Sequence, residues 1–476
     1  MSTKKTNWYK WLTIIFLLAV AWEVFIFVRL PKQAFMQGLL ESWLVSKGLI
    51  FYKDFFGAYL PFLRLSMIPL HAVFGYTQYT TIALAPITSV VVLYILFLAS
   101  RKWLNGWFSL IPIIFFSVWH TFLSNNHFLA TSFLGLTVLV SMVCWLSWWD
   151  KPTRTKSFFI GLFTAFSIYT LQIVLPFYAI LNLSMVFKSK RHVIISFIGF
   201  IIPTLIIIVW FLSKGALDDL YIWTIKYHFT NYPFANLGRE IENVLIYLSI
   251  HLPIFLLLFT GFKNSKKLLL LFSLICLPLA FWFAIFHPVR FEISLPALAL
   301  IFGIAAQSIL ENRSKKLRKW GIRFLFLILL INFYTISKYK LESYRVKLFE
   351  TKYKYEILSE VYPDDPMHPA IEWMKTNSGP KDKVFALADA LFYVETDRLP
   401  ANRRAVASEP FVYVPFEDFK KEIETSWPDF WAIDERQWKR MDDYGYQDLR
   451  KNFQELVTKD PIVAQFDYWT IRKHTK

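Results

Sequence analysis

Apolar runs about as long as a bilayer is thick recur along most of this chain, and no other feature restricts its fold as strongly. The stretch Trp11 to Val28 is apolar apart from Glu23, and comparable runs lie near 81–100, 107–123, 128–148, 193–213, 243–262, 268–287, 293–310 and 321–337. Hydrophobic residues make up 55% of the chain and charged residues 18%, gathered into blocks rather than amphipathic stripes, so a soluble core does not account for them. Their repetition excludes a single signal peptide or anchor. The run 157–187 is too long for one helix and carries Gln172 and Pro176 near its middle, which predicts two short helices joined by a tight turn. The expected class is a polytopic α-helical membrane protein of about eleven to twelve membrane segments with a small α/β soluble domain at its C-terminus. Residues 1–337 form the helical domain, with outer loops at 30–80 and 214–242, and 338–476 the soluble domain.

Orientation follows from the basic residues, which cluster at Lys4-Lys5 and Lys10, Arg101-Lys102, Lys151 to Lys156, Lys188 to Arg191, Lys263 to Lys267 and Arg313 to Lys319. Read as cytoplasmic, these clusters put the N-terminus inside and, with the last span running outward, the C-terminal domain outside. A full span over 58–75 would turn Arg101-Lys102 outward, so that stretch is read as re-entrant or interfacial. Much of the net charge of +17 lies in short loops beside the spans. Topology and anionic membrane lipids therefore explain it, and no nucleic-acid partner is implied. Cys144 and Cys276 both fall inside expected spans, and neither a disulfide framework nor a metal-ligand spacing is present.

The soluble region opens with a mixed-charge stretch over 337–355 that reads as a helix leaving the membrane, followed by a turn-rich segment from Tyr362 to Pro369. A helix at Ala370 to Thr376, a turn at Ser378-Gly-Pro380, a strand at Lys383 to Leu387 and a further segment from Trp427 to Ile433 predict alternating helices and short strands.

Chemistry outside the bilayer has to be built in the outer loops. In the first, Gln33 to Lys47 has helical spacing, with Phe35, Leu39 and Trp43 on one face and Gln33, Gln37 and Glu41 on another, which predicts an interfacial helix presenting a carboxylate. Gly48 can end that helix, and Phe51-Tyr-Lys-Asp-Phe-Phe56 and Tyr59-Leu-Pro-Phe-Leu-Arg64 follow. Glu41, Lys53, Asp54 and Arg64 can serve chemistry or simply keep the segment wet. In the second loop, Asp218, Asp219, Lys226, Tyr227, His228, Asn231 and Tyr232 offer a polar and aromatic surface suited to sugar rings and equally to a membrane interface. Glu23, inside the first span, is left out of the candidate site.

The pattern of Glu41, Gly48 and Tyr52-Lys-Asp-Phe55, followed by a Pro-containing apolar stretch and Phe74-Gly75, resembles the first outer loop of GT-C-type glycosyltransferases. These are polytopic enzymes that use polyprenyl-phosphate sugars, as in the protein mannosyltransferase and aminoarabinose transferase-like superfamily. The resemblance continues through Arg101-Lys-Trp103, the paired short helices around Leu171-Gln172, His287-Pro-Val-Arg290 before Leu295-Pro-Ala297, Ala370-Ile-Glu-Trp373, and Asp397-Arg398-Leu-Pro400. Where many such enzymes carry an acidic residue at the head of the loop, this chain has Ala34-Phe35, which leaves Glu41 and Asp54 as alternatives.

The resemblance implies transfer of a sugar from a polyprenyl-phosphate donor, with inversion, to a lipid, glycan or protein acceptor at the outer face of the cytoplasmic membrane. Such a reaction needs a carboxylate to take the acceptor's proton, a role for Asp54 or Glu41, and cations to stabilise the departing phosphate. Lys53, Arg64, His287 and Arg290 are the candidates for the second role, with Tyr52 beside them. No metal ligand set is expected, and dependence on a divalent metal stays open because the outer loops lack a cluster of carboxylates or histidines. The rival readings are a polytopic transporter or lipid flippase, and a non-catalytic membrane assembly protein.

Overall fold

The computed structural model describes residues 2–29, 36–57, 60–123, 130–226, 241–260, 265–283, 288–312, 314–340, 367–388, 391–403, 416–443 and 447–475. The expectations for 227–232, His287 and the helix and turns over 341–366 lie outside these residues. In chain order the helices are α1 (Ser2–Arg29), α2 (Met36–Ser46), α3 (Phe62–Phe74), α4 (Gln78–Trp103), α5 (Ile111–Leu123), α6 (Ala130–Asp150), α7 (Arg154–Ile168), α8 (Leu175–Leu183), α9 (Lys190–Ser213), α10 (Leu217–Tyr221), α11 (Ile241–His251), α12 (Ser265–Phe283), α13 (Pro288–Phe291), α14 (Leu295–Leu310) and α15 (Lys315–Thr335). The C-terminal region adds α16 (Met367–Asn377), α17 (Leu391–Thr396), α18 (Phe416–Thr425), α19 (Arg436–Asp443) and α20 (Gln447–Val457), with strands β1 (Val384–Leu387), β2 (Phe430–Asp434), β3 (Ile462–Phe466) and β4 (Trp469–Lys473).

Contacts divide the chain into two compact units: one of residues 1–33, 82–207 and 234–354, the other of 34–81, 208–233 and 355–476. The first is a helical bundle turned inside out relative to a soluble protein. Large apolar side chains such as Phe197, Leu205 and Ile206 of α9 and Phe326, Leu330 and Phe333 of α15 are exposed on its surface, which only a hydrocarbon solvent tolerates on this scale. Trp8–Ile26, Tyr79–Trp103, Thr131–Asp150, Lys190–Ser213, Ile241–Thr260 and Lys315–Tyr339 are each long and apolar enough to cross a membrane. The chain is therefore a multi-pass membrane protein. At the centre of the bundle lies α14, buried along nearly its whole length, where Ala297, Ala299, Gly303, Ala305 and Ala306 let neighbouring helices approach.

The run 157–187 breaks as expected into α7 and α8, joined through a 3-10 turn at Gln172–Val174, with Pro176 in the first turn of α8 where its missing N–H costs nothing. Helices α7 and α9 cross at two glycines: a Cβ on Gly161 would lie 1.7 Å from the Ser196 carbonyl oxygen, and one on Gly199 would lie 2.2 Å from that of Phe158. Only residues without a side chain permit that approach.

The basic residues at 101–102, 156 and 188 gather at one end of this bundle. Arg101 at the end of α4 stands 5.4 Å from the Tyr9 ring at the start of α1, and Lys102 donates to Ser147 Oγ at 2.8 Å. Lys156 bonds the carbonyls of Ser147 and Lys151, and Lys188 reaches the Trp149 carbonyl. Helices α1 and α4 are thus antiparallel neighbours, with Phe16 against Phe97 at 4.9 Å. The chain therefore leaves α1 and enters α4 at the same end of the bundle. The 13 residues of α3 reach about 20 Å, short of a hydrocarbon core of about 30 Å.

The second unit carries a four-stranded sheet in the order β1-β2-β4-β3. Parallel pairing of β1 with β2 needs a crossover, supplied by the helices between them, whereas β3 and β4 form a hairpin with Asp467 at φ 40. β1 and β2 are buried at every position, and Phe385, Trp431, Phe419 and Phe453 pack between sheet and helices. Arg398 is nearly buried and donates to both the Ser378 hydroxyl and its carbonyl, fixing the turn that follows α16.

Candidate functional site

Helices α2 and α3 pack on each other inside the second unit, and their facing charges decide how the first loop is built. Leu39, Leu40, Trp43 and Leu44 of α2 are buried, and so is Glu41, 1% exposed. The expectation that Glu41 lies on a water-facing stripe is therefore corrected: its Oε1 meets Nη1 of Arg64 on α3, itself 3% exposed. Each charge is the other's counter-ion, which is what permits both to be buried. The Arg64 guanidinium also stands over the Phe51 ring at 5.8 Å.

After α2, Gly48 turns the chain at φ 89, as its place in the sequence predicts. The following turn is locked reciprocally, because the Asp54 N–H donates to the Ile50 carbonyl at 2.9 Å and the Ile50 N–H donates to Asp54 Oδ2 at 2.7 Å. Tyr52 at its centre adopts φ 68, in the left-handed region that a bulky side chain enters only when its surroundings impose it. Those surroundings are the rings of Phe51, edge-on at 4.2 Å, and Phe211 at 5.5 Å. Burial pushes the Tyr52 phenol well above its ordinary value, so it contributes packing rather than charge.

Lys53 and Asp54 point the other way, into a cavity of about 440 Å³ lined also by Leu49, Lys383, Asn402, Arg403 and Glu422. Three separated segments of the second unit meet around it. The Phe56 N–H donates to the Arg403 carbonyl at 2.8 Å, Arg403 donates to Glu422 Oε1 from Nε and Nη2 at 3.1 and 2.8 Å, and Arg403 lies 4.0 Å from Asp219. Among the described residues, neither Lys53 nor Lys383 has a carboxylate partner; the Lys53 ammonium reaches only the Lys214 carbonyl, at 3.5 Å. The volume and the mixed lining suit a polar small molecule or headgroup. Lys383, Arg403 and Glu422 carried no sequence signal, because they lie more than 300 residues from Asp54 and only folding joins them.

Arg290 belongs to the helical unit, half-buried at the end of α13, and His287 lies outside the described residues. Close to Arg290 in sequence is an arrangement that the sequence did not single out. Glu292 is 2% exposed, and His120 stands between it and Glu23, with Nε2 3.3 Å from Glu292 Oε1 and Nδ1 2.9 Å from Glu23 Oε2. The signal available was the one that applies to any ionisable residue among membrane helices, that it rarely occurs without a partner. Among the described residues no group of three or more His, Cys, Asp or Glu side chains has the geometry to hold a metal ion.

A membrane bundle of long and short helices, the short helices α2 and α3 between the first two long ones, and a small mixed sheet near the C-terminus make up the GT-C-type fold. The chain is similar over 98% of its length, and 98% of theirs, to two crystal structures of ArnT from Cupriavidus metallidurans. One is bound to undecaprenyl phosphate (TM-score 0.59) and the other is the apo state (TM-score 0.57), both at 11% identity. It is also similar, at 12% identity and TM-score 0.50, to the oligosaccharyltransferase of Archaeoglobus fulgidus tethered to an acceptor peptide, covering 91% of this chain and 70% of that one. No protein-family model and no curated protein matches the sequence. The fold that the sequence resemblance implied is thus the fold of the chain.

Proposed function

We propose that this protein is a membrane glycosyltransferase that moves a sugar from a polyprenyl-phosphate donor to a lipid, glycan or protein acceptor at the outer face of the cytoplasmic membrane. The observation that carries this reading is the end-to-end likeness to a structure that holds undecaprenyl phosphate, in a chain whose first outer loop keeps a carboxylate and a lysine at a polar cavity. Asp54 is assigned as the base that takes the acceptor's proton, since Glu41 is occupied with Arg64. Lys53, exposed in the second unit, and Arg290, half-buried in the helical unit, are each put forward, as the sequence resemblance implies, as a cation for the donor phosphate. Arg64 and Tyr52 hold the loop in shape. Purified protein in lipid nanodiscs, given an undecaprenyl-phosphate-linked radiolabelled sugar and a cell-envelope fraction, is expected to move label into the acceptor fraction with release of undecaprenyl phosphate. Label that stays on the donor at every protein concentration would remove the assignment.

The orientation that belongs to this reading has the basic end of the bundle inside and the sheet domain outside, supported by the single end at which Lys102, Lys156 and Lys188 collect. In a background lacking Cys144 and Cys276, a membrane-impermeant thiol reagent added to intact cells is expected to label a cysteine at the exposed Lys381 and to spare one at the exposed Lys316. The reverse pattern would put Asp54 on the wrong side for such a donor.

A further inference from the structure

Four residues, Phe291-Glu-Ile-Ser294, separate Arg290 from α14, and all four are buried. They are held from several helices at once. Phe291 meets the rings of Tyr247 and His251 of α11 edge-on at 5.3 and 5.5 Å, and Ser294 Oγ is bonded to His251 Nε2 at 2.8 Å. The Glu292 carbonyl oxygen stands 2.9 Å from where a Cβ on Gly135 of α6 would be, so the backbone itself is pressed against that helix. The Glu292 carboxylate accepts from Thr131 Oγ1 of α6 at 2.9 Å and faces His120 Nε2 of α5 at 3.3 Å; Nδ1 of the same ring faces Glu23 of α1 at 2.9 Å. The His120 ring bonds Glu23 through Nδ1, while Nε2 lies 3.4 Å from Ser89 Oγ of α4 and within ion-pair distance of Glu292, which places His120 between α1 and the segment that carries Arg290.

A buried ion pair is a poor source of net stability, and a carboxylate placed here needs another reason. We infer that Glu292, held by Thr131 and by a His120 that Glu23 in turn holds, is a positioning residue that fixes the backbone beside Arg290 and thereby aims its guanidinium at the donor phosphate. This rests on the assignment of Arg290 to that phosphate. The two carboxylates and one imidazole make a rigid mount because the groups that hold Glu292 come from α1, α5 and α6, all far from it in sequence. A neutral side chain of the same shape would keep the Thr131 bond and lose the His120 pairing, so the segment would be freed to shift while the bundle stays folded.

The test is direct binding of undecaprenyl phosphate to the purified full-length protein in nanodiscs, together with transfer kinetics, for wild type, Arg290→Ala, Glu292→Gln, Glu292→Asp and the Arg290→Ala, Glu292→Gln double variant. Arg290→Ala and Glu292→Gln are each expected to weaken binding about tenfold or more and to raise the donor KM with kcat changed far less. The double variant is expected to be no worse than Arg290→Ala alone, because Glu292 acts through that residue, and Glu292→Asp to recover part of the loss. Thr131→Val, which removes one donor to Glu292 and leaves the charges in place, is expected to give a smaller change in the same direction. It stands in if Glu292→Gln lowers the unfolding temperature. Additive losses in the double variant, or binding by Glu292→Gln equal to wild type while Arg290→Ala is weakened, overturn the inference and leave the glycosyltransferase reading intact. Wild type that does not bind undecaprenyl phosphate overturns both.

Discussion

Asp54→Asn is expected to lower the turnover of sugar transfer by about 10²-fold or more, with binding of the lipid donor and the unfolding temperature close to those of the parent. The substitution isolates the charge. An asparagine oxygen can accept the Ile50 N–H as Asp54 Oδ2 does, so the reciprocal turn that sets Tyr52 at φ 68 persists. What is lost is a carboxylate at the cavity able to take a proton from an acceptor hydroxyl as the new bond forms. Donor-saturated kinetics beside equilibrium binding separate the two effects, since a base contributes in the transition state and little in the ground state. Full activity in a well-folded Asp54→Asn preparation would take the base away from this turn. A Glu41→Gln preparation as stable as the parent, but slowed about 10²-fold, would move the role to Glu41.

The largest effect on stability is expected at Arg64. Glu41 and Arg64 are 1% and 3% exposed, so Arg64→Met leaves a carboxylate inside the packing of α2 and α3 without its counter-ion. Breaking a buried pair from one side typically costs about 3–5 kcal/mol, a large part of what holds a protein together. The double variant Glu41→Gln, Arg64→Met removes both charges at similar volume and is expected to recover most of that loss. Reversible unfolding in mixed detergent micelles, followed by circular dichroism, measures the cycle. If Arg64→Met proves as stable as its parent, the pair is not what orders the loop.

How far the site could be read from sequence differs by element, for physical reasons. Gly48 was legible as the end of α2 because a left-handed backbone favours glycine wherever it occurs, and the break at Gln172 and Pro176 was legible because a bilayer sets the length of a crossing helix. The strand at Val384–Leu387 and the helix at Met367–Asn377 announced themselves by local pattern. The hairpin Ile462–Lys473 did not enter the expectation although its alternation is equally local. Glu41 was misplaced for a different reason. Helical spacing puts it opposite Phe35, but spacing says nothing about a second helix arriving with an arginine, and that partner turns a polar face into a buried one.

The sequence by itself determined the solvent of this protein, its succession of long and short apolar helices, and the short strands and helices near its C-terminus. Those properties are local, since hydropathy, helix length and turn chemistry are fixed by neighbours along the chain. Only the tertiary structure decided that Glu41 neutralises Arg64, that Lys53 and Asp54 share a cavity with Arg403 and Glu422, and that His120 stands between Glu23 and Glu292. Each of these joins residues distant in sequence, and the energy of a charge depends on what surrounds it in space, which the linear order of residues does not specify.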